Sequence, residues 1–150
     1  MWKRLERLVS MALIAALTLQ PVFLHAQNIQ IVGPDNGPRP HLDRSYNGTA
    51  VLNIDTPNAA GVSHDIYTDF TANDLILNNS ATNVTTQMGG WIEGNPNLVP
   101  GQAADLWIGE VVGGNQTQLN GILEVGGQSM DVVLANEFGI TCNGCGFVNT

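Results

Sequence analysis

A chain of 150 residues with thirteen carboxylates, five basic side chains and a formal charge of −8 is sized for one domain and carries the wrong sign for a polyphosphate partner. Three of the five cations lie in the first seven residues, and from Ser45 to Thr150 there is no Lys or Arg at all. Nucleic-acid binding, which needs cations to displace counterions from phosphates, is excluded, and attachment to anionic membrane surfaces is disfavoured for the same reason.

The chain opens on Lys3, Arg4 and Arg7, followed by an apolar run from Leu8 to Leu19, Pro21 and the small residue Ala26. A basic start, an apolar core too short to span a bilayer comfortably and a small residue before Gln27 form the pattern of a secretory signal peptide over residues 1–26. Cleavage is expected after Ala26, with an uncleaved anchor as the alternative. Either directs export, and the membrane is met only through this segment. Residues 27–150 then carry Arg39 and Arg44 against twelve carboxylates, a formal charge of −10.

Residues 27–44 contain "GPDNGPRPHLDR". Three prolines and two glycines suit neither helix nor strand, so an irregular N-terminal arm is expected. From residue 45 to 150, short apolar bursts alternate with turn signals. The bursts run from Ala50 to Ile54, Asp65 to Phe70, Leu75 to Asn78, Gly90 to Gly94, Ala104 to Val112, Asn120 to Val125 and Ser129 to Asn136, with a last one in "GFVNT". Brief β-rich segments between Asn- and Gly-rich turns predict an all-β fold. In one burst Met130, Val132 and Leu134 share a face opposite Asp131. In another, Leu119, Leu123 and Val125 share a face with Gly121 while Asn120 and Glu124 point away. "LNGILEV" at Leu119 and "CNGCGFV" at Cys142 align at an offset of 23 residues, a period suited to one coil of a solenoid. An antiparallel sandwich is the competing architecture.

The stretches "NIDTPNAAGVSHDIYTDF" (Asn53 to Phe70), "LILNNS" (Leu75 to Ser80), "GGWIEGNPNL" (Gly89 to Leu98) and "QLNGILEVGGQSMDVVLANEFGITCNGCGFVNT" (Gln118 to Thr150) resemble the N-terminal secretion domain of two-partner secretion exoproteins. That is the filamentous haemagglutinin family, which includes contact-dependent growth inhibition toxins. The resemblance implies a right-handed parallel β-helix with an N-terminal cap and extra-helical strands. It also implies a non-enzymatic, cofactor-free secretion-signal and fold-nucleating module. Such a module is recognised in the periplasm by the POTRA domains of an outer-membrane β-barrel transporter, then passed to the cell surface or beyond. An adhesin that binds cell-surface glycan is the alternative function. Family domains continue past "CNGCGFVNT", so the β-helix of residues 45–150 is expected to be incomplete at its C-terminus. A truncated product, a decayed remnant or the first part of a split frame would each give this. A solenoid cut after few coils exposes its last apolar layer, and a marginal or aggregation-prone isolated chain is expected.

Two hallmark motifs carry over residue by residue. The first, N-P-N-L, is intact at Asn95, Pro96, Asn97 and Leu98. The second, N-P-N-G-I in the family, is matched at Asn136, Gly139 and Ile140 but departs at Glu137 and Phe138, losing the proline that pre-sets φ in the turn. Transporter recognition and fold integrity are both expected of these residues. Cys142 and Cys145 are read as a local disulfide clasp, favoured by an oxidising compartment. A redox centre lacks the nearby cations that depress a thiol pKa, and a metal site lacks further ligands, His41 and His64 being the only histidines after the signal. "SHD" at Ser63, His64 and Asp65 names a hydrolytic triad, but neighbours in a strand face opposite ways. The scattered acids are expected on solvated faces. Trp91 and Trp107 are expected in partly buried, core or stacking roles rather than as sugar platforms.

Overall fold

A computed structural model describes residues 27–33 and 39–150 of the chain. The expected signal peptide and the Pro34–Pro38 part of the arm lie outside the described residues. The chain forms β1 (Asn28–Val32), β2 (His41–Arg44), β3 (Ala50–Asn53), β4 (Val62–Ala72), β5 (Leu75–Asn79), β6 (Val84–Thr86), β7 (Gly90–Ile92), β8 (Leu106–Val111), β9 (Thr117–Leu119), β10 (Ile122–Gly127), β11 (Asp131–Asn136), β12 (Ile140–Cys142) and β13 (Gly146–Val148).

The strands build two facing sheets through which the chain winds. One has the order β11-β8-β4-β9-β12, and the other β13-β10-β5-β3-β2. Long β4 carries β8 beside its first half and β9 beside its end, and β11 and β12 stack on these in turn. Every one of these stacking contacts is parallel, as are β3–β5, β5–β10 and β10–β13. Parallel neighbours need crossover connections, and crossovers are right-handed. The right-handed parallel β-helix is thus the architecture, and the sandwich is excluded.

The first coil is closed by antiparallel strands, β1 on β4 and β2 on β3. The arm expected to be irregular therefore departs from that expectation at both ends. Its prolines and glycines are confined to residues 33–40, and the flanking "NIQIV" and "HLDR" are free of them. Those flanks find sheet edges to pair with, which local composition does not reveal. Ile29 enters the core beneath this cap.

Inward-facing residues stack in columns across the coils. Leu52, Leu77 and Val125 occupy one register and Ala50, Leu75, Leu123 and Phe147 the next. Opposite them, Tyr67, Phe70 and Trp107 form an aromatic trio, with ring centroids 5.0 Å apart for Tyr67–Phe70 and 6.3 Å for each pair with Trp107. Phe147, in the column over Leu123, is 53% exposed because no strand of the described residues covers the last rung.

The 23-residue repeat is a stacked corner. Asn73–Asp74, Asn120–Gly121 and Asn143–Gly144 turn the chain from one sheet to the other in successive coils. Asn120 N donates to Ala72 O at 2.8 Å and Asn143 N to Leu119 O at 2.8 Å. A Cβ on Gly121 would lie 2.6 Å from the Asp74 backbone nitrogen, so the corners stack only with glycine there. Leu119 and Val125 consequently belong to two strands, β9 and β10, rather than to one continuous alternation. The β13 register slips by one residue relative to β12, pairing Ile122 with Gly146.

An antiparallel hairpin, β6–β7, leaves the coil and folds back over the second sheet. It buries Val51, Ile76 and Ile92 in a second small core, so β3 and β5 are buried on both faces. Glu124 points outward from β10, as its place in the alternation requires, yet it is only 3% exposed. Its carboxylate accepts from Gln87 N at 2.6 Å and Met88 N at 2.8 Å, holding the hairpin turn. Glu124 and the inward Asp65 are thus departures from the expectation of solvated acids. Replacing Glu124 by Gln places an amide N–H₂ against one of these donors, and we expect a loss of about 2 kcal/mol. Denaturant midpoints, with faster proteolysis between Val84 and Ile92, would register it. An unchanged midpoint would mean that the carboxylate does not hold the turn.

Candidate functional site

The N-P-N-L motif follows β7 and returns the chain to the coil. Asn95 N donates to Ser80 O at 2.7 Å, and Leu98 N closes the turn on Asn95 O at 3.1 Å. The Asn95 side chain, 1% exposed, is spent entirely inside. Its Nδ2 donates to Ile54 O and Asn78 O, both at 2.9 Å, and its Oδ1 accepts from Asn97 N at 2.9 Å. Asn97 Nδ2 adds Ile54 O at 3.0 Å and Arg39 O at 2.8 Å, and Thr56 Oγ1 donates to Asn97 O at 2.7 Å. The turn thus ties the hairpin exit, the first coil and the N-terminal arm together. Leu98 is buried, and Pro96 is exposed.

The second motif repeats this local geometry without its proline. Asn136 Oδ1 accepts from Phe138 N at 2.8 Å, as Asn95 does from Asn97, and Gly139 N donates to Asn136 O at 3.1 Å. Asn136 Nδ2 donates to Asn115 O and Thr117 Oγ1, both at 2.9 Å. Gly139 sits at φ +96°, a conformation open to glycine and strained for other residues. The asparagine and glycine close the turn, and Glu137 replaces the proline at a position where only a compatible φ is needed. Ile140 begins β12 and is 42% exposed. The two motifs lie in different coils and are not brought into one pocket.

Cys142 and Cys145 are joined, with Cα atoms 5.2 Å apart, around the Asn143–Gly144 corner. So small a ring restrains little of the unfolded chain. We expect the Cys142→Ser, Cys145→Ser double substitution to cost no more than about 2 kcal/mol, read as a small shift in melting midpoint that reduction of the wild type reproduces.

Ser63 and Asp65 face inward while His64 faces out, its Nε2 2.9 Å from Glu110 Oε2, so "SHD" assembles no triad. Asp65 Oδ2 accepts from Trp107 Nε1 at 2.6 Å and Tyr67 Oη at 3.2 Å, and its Oδ1 accepts from Asp55 N at 3.2 Å. Burial pushes this carboxyl up to about 6 against the pull of those donors, and the same burial, with Asp65 beside it, raises the Tyr67 phenol well above its ordinary value. Trp107 is a core residue. Trp91 is half exposed and so partly buried as expected, but it lies outside both core clusters.

Sequence reasoning missed the asparagines that complete the scaffold. Asn78 Nδ2 donates to Asn53 Oδ1 at 2.7 Å, in register one coil apart. Asn79 Nδ2 donates to Ala104 O and Gln128 O while its Oδ1 accepts from Ala104 N. A signal was present, since "AVLN" at Ala50 and "LILN" at Leu75 repeat at an offset of 25 residues.

Comparison with known proteins matches residues 30–150 to the family model described as the TPS secretion domain. The chain is 46% identical over 149 residues to a tRNA nuclease CdiA of Yersinia mollaretii, covering 97% of this chain and 5% of that protein. It is 44% identical over 148 residues to a 16S rRNA endonuclease CdiA of Enterobacter cloacae subsp. cloacae, covering 97% of this chain and 4% of that protein. The crystal structure of a filamentous hemagglutinin secretion domain superimposes with a TM-score of 0.72 and 32% identity, over 83% of this chain and 40% of that one. The chain thus spans about one-twentieth of the length of the curated relatives it matches.

Proposed function

The chain belongs to the TPS secretion domain family, and from that premise we propose how it works: as an exported secretion signal and folding nucleus, read by a dedicated outer-membrane β-barrel transporter. The secretion domain is non-catalytic, and its route runs through the periplasm to the cell surface or the medium. The division we propose is a leader of residues 1–26, a capping arm of 27–44 that contributes strands, and a β-helix of 45–150. The transporter would engage it through periplasmic POTRA domains, with Asn95–Leu98 and Asn136–Ile140 maintaining the recognised shape.

The observation that carries this reading is the sequence match over residues 30–150 together with the intact, inward-bonded Asn95 turn. It is tested by expressing the chain with and without the cognate transporter. Export to the medium is expected only in its presence, and transporter-independent release would refute the reading. A second reading, a surface module that binds glycan, is favoured by the exposure of Trp91 alone. It predicts retention of the purified chain on glycan supports.

A further inference from the structure

Asn95 and Asn97 turn their side-chain donors inward to backbone carbonyls, so a partner has little of them to read directly. What the turn offers outward is Pro96, and Pro96 lines a groove of about 390 Å³ on the outer face of the second sheet, between β2 and β7. The floor is a hydrogen-bonded rung. His41, Asn53 and Asn78 stand in register across β2, β3 and β5. Asn53 Nδ2 lies 3.0 Å from His41 Nε2, and Asn78 Nδ2 donates to Asn53 Oδ1 at 2.7 Å and to Glu93 O at 2.9 Å. This rung fixes the groove before any partner arrives.

The chemistry of the groove narrows the occupant. The groove lies on the face of the sheet, where the backbone groups of these strands point within the sheet plane rather than out of it, so recognition across this face falls to side chains. Trp91 is 50% exposed and Tyr46 is 96% exposed, and both line the groove beside Arg44. Trp, Tyr and Arg are the residue types in which interface energy concentrates. Asp43 and Glu93 line the same groove, on a chain whose residues 27–150 carry ten more negative than positive charges. Such a field favours a basic partner and opposes an acidic one.

We propose that this groove is the surface by which the transporter's periplasmic face holds the secretion domain, through an apolar side chain seated against Trp91 and Tyr46 and flanked by basic residues. The N-P-N-L turn acts on recognition indirectly, by placing Pro96 and β7. The proposal rests on the secretion reading above.

The test measures binding of the purified chain to detergent-solubilised cognate transporter. Trp91→Ala and Tyr46→Ala are each expected to weaken binding at least about tenfold, or about 1.4 kcal/mol, without moving the melting midpoint, and Trp91→Phe to recover most of the loss. If Trp91→Ala disturbs the melt, Tyr46→Ala decides, because that side chain is almost wholly in solvent. Wild-type affinity in both alanine variants overturns the groove and leaves the secretion reading standing. Failure of the wild-type chain to bind overturns both. Binding of maltotriose or chitotriose that is lost in Trp91→Ala, with transporter binding unchanged, overturns the groove in favour of a glycan site.

Discussion

Replacing Asn95 by Ala is expected to lower stability by about 3–4 kcal/mol, whereas the same change at Asn136 costs about 1 kcal/mol. The motifs share a turn, so the difference comes from their surroundings. At Asn95 the amide satisfies Ile54 O, Asn78 O and Asn97 N in a site that water does not reach. Truncation leaves two buried carbonyls and a partly buried N–H with fewer partners, at about 1–3 kcal/mol for each buried group left unsatisfied. Asn97 Nδ2 still reaches Ile54 O, which limits the loss. Around Asn136 the corresponding groups lie nearer solvent, and water substitutes. Equilibrium denaturation of the two variants measures the contrast. Equal losses would mean that the turns matter by shape alone. Secretion assays on the same pair would then report stability at Asn95 before they report recognition, because an amide consumed internally is not available to a partner.

The fold was legible wherever one face of a strand meets solvent. Met130, Val132 and Leu134 alternate with Asp131, and β11 alternates in burial as that pattern requires. Legibility failed where a second layer lies on the outside. Nothing in "LILNN" says that all five residues are buried, because the covering hairpin comes from the residues that follow and is held by Glu124, 37 residues beyond Gln87. The cap strands β1 and β2 were illegible for a related reason. Four- and five-residue segments acquire strand structure from the edge they join, and the prolines between them dominate a local reading.

The site was legible only as motif. Family likeness placed Asn95–Leu98 and Asn136–Ile140, and the structure supplies what the letters do not, the direction of each side chain. Asn95 looks like a surface turn residue from composition and is a buried cross-coil tie. The loss of proline at Glu137 reads as a loosened turn, but closure depends on Asn136 Oδ1 and the positive φ of Gly139, both kept. Asp65 stood out in the sequence only as part of a false triad. Its period-two relation to Ser63 and Tyr67 places all three inside, where the carboxylate collects the Trp107 indole and the Tyr67 hydroxyl.

That buried carboxyl gives the chain a pH dependence of opposite sign to ordinary acid denaturation. Burial raises Asp65 from 3.8 to about 6, so between these values the folded chain binds a proton that the unfolded chain has released. Folding is then favoured as pH falls through this window. The contribution is fully present below about 3.8, is lost as pH rises through about 6 and is constant above it. Its size is about 3 kcal/mol at 1.36 kcal/mol per unit. The quantity to measure is the difference between wild type and Asp65→Asn as pH is varied, which isolates this one group. The substitution adds a constant penalty, because the single amide N–H₂ must oppose either the Trp107 donor at the Oδ2 side or the Asp55 N–H at the Oδ1 side. It also removes the titration. The wild type is expected to gain on the variant steadily from pH 7 to pH 4, and parallel curves would place the Asp65 pKa near its unfolded value. Asp55 adds to the upward shift through its charge, so Asp55→Asn is expected to shrink the window without abolishing it. The Asp65 contribution is thus least favourable at neutral pH, where the Trp107 indole and Tyr67 phenol donors must hold a full buried charge.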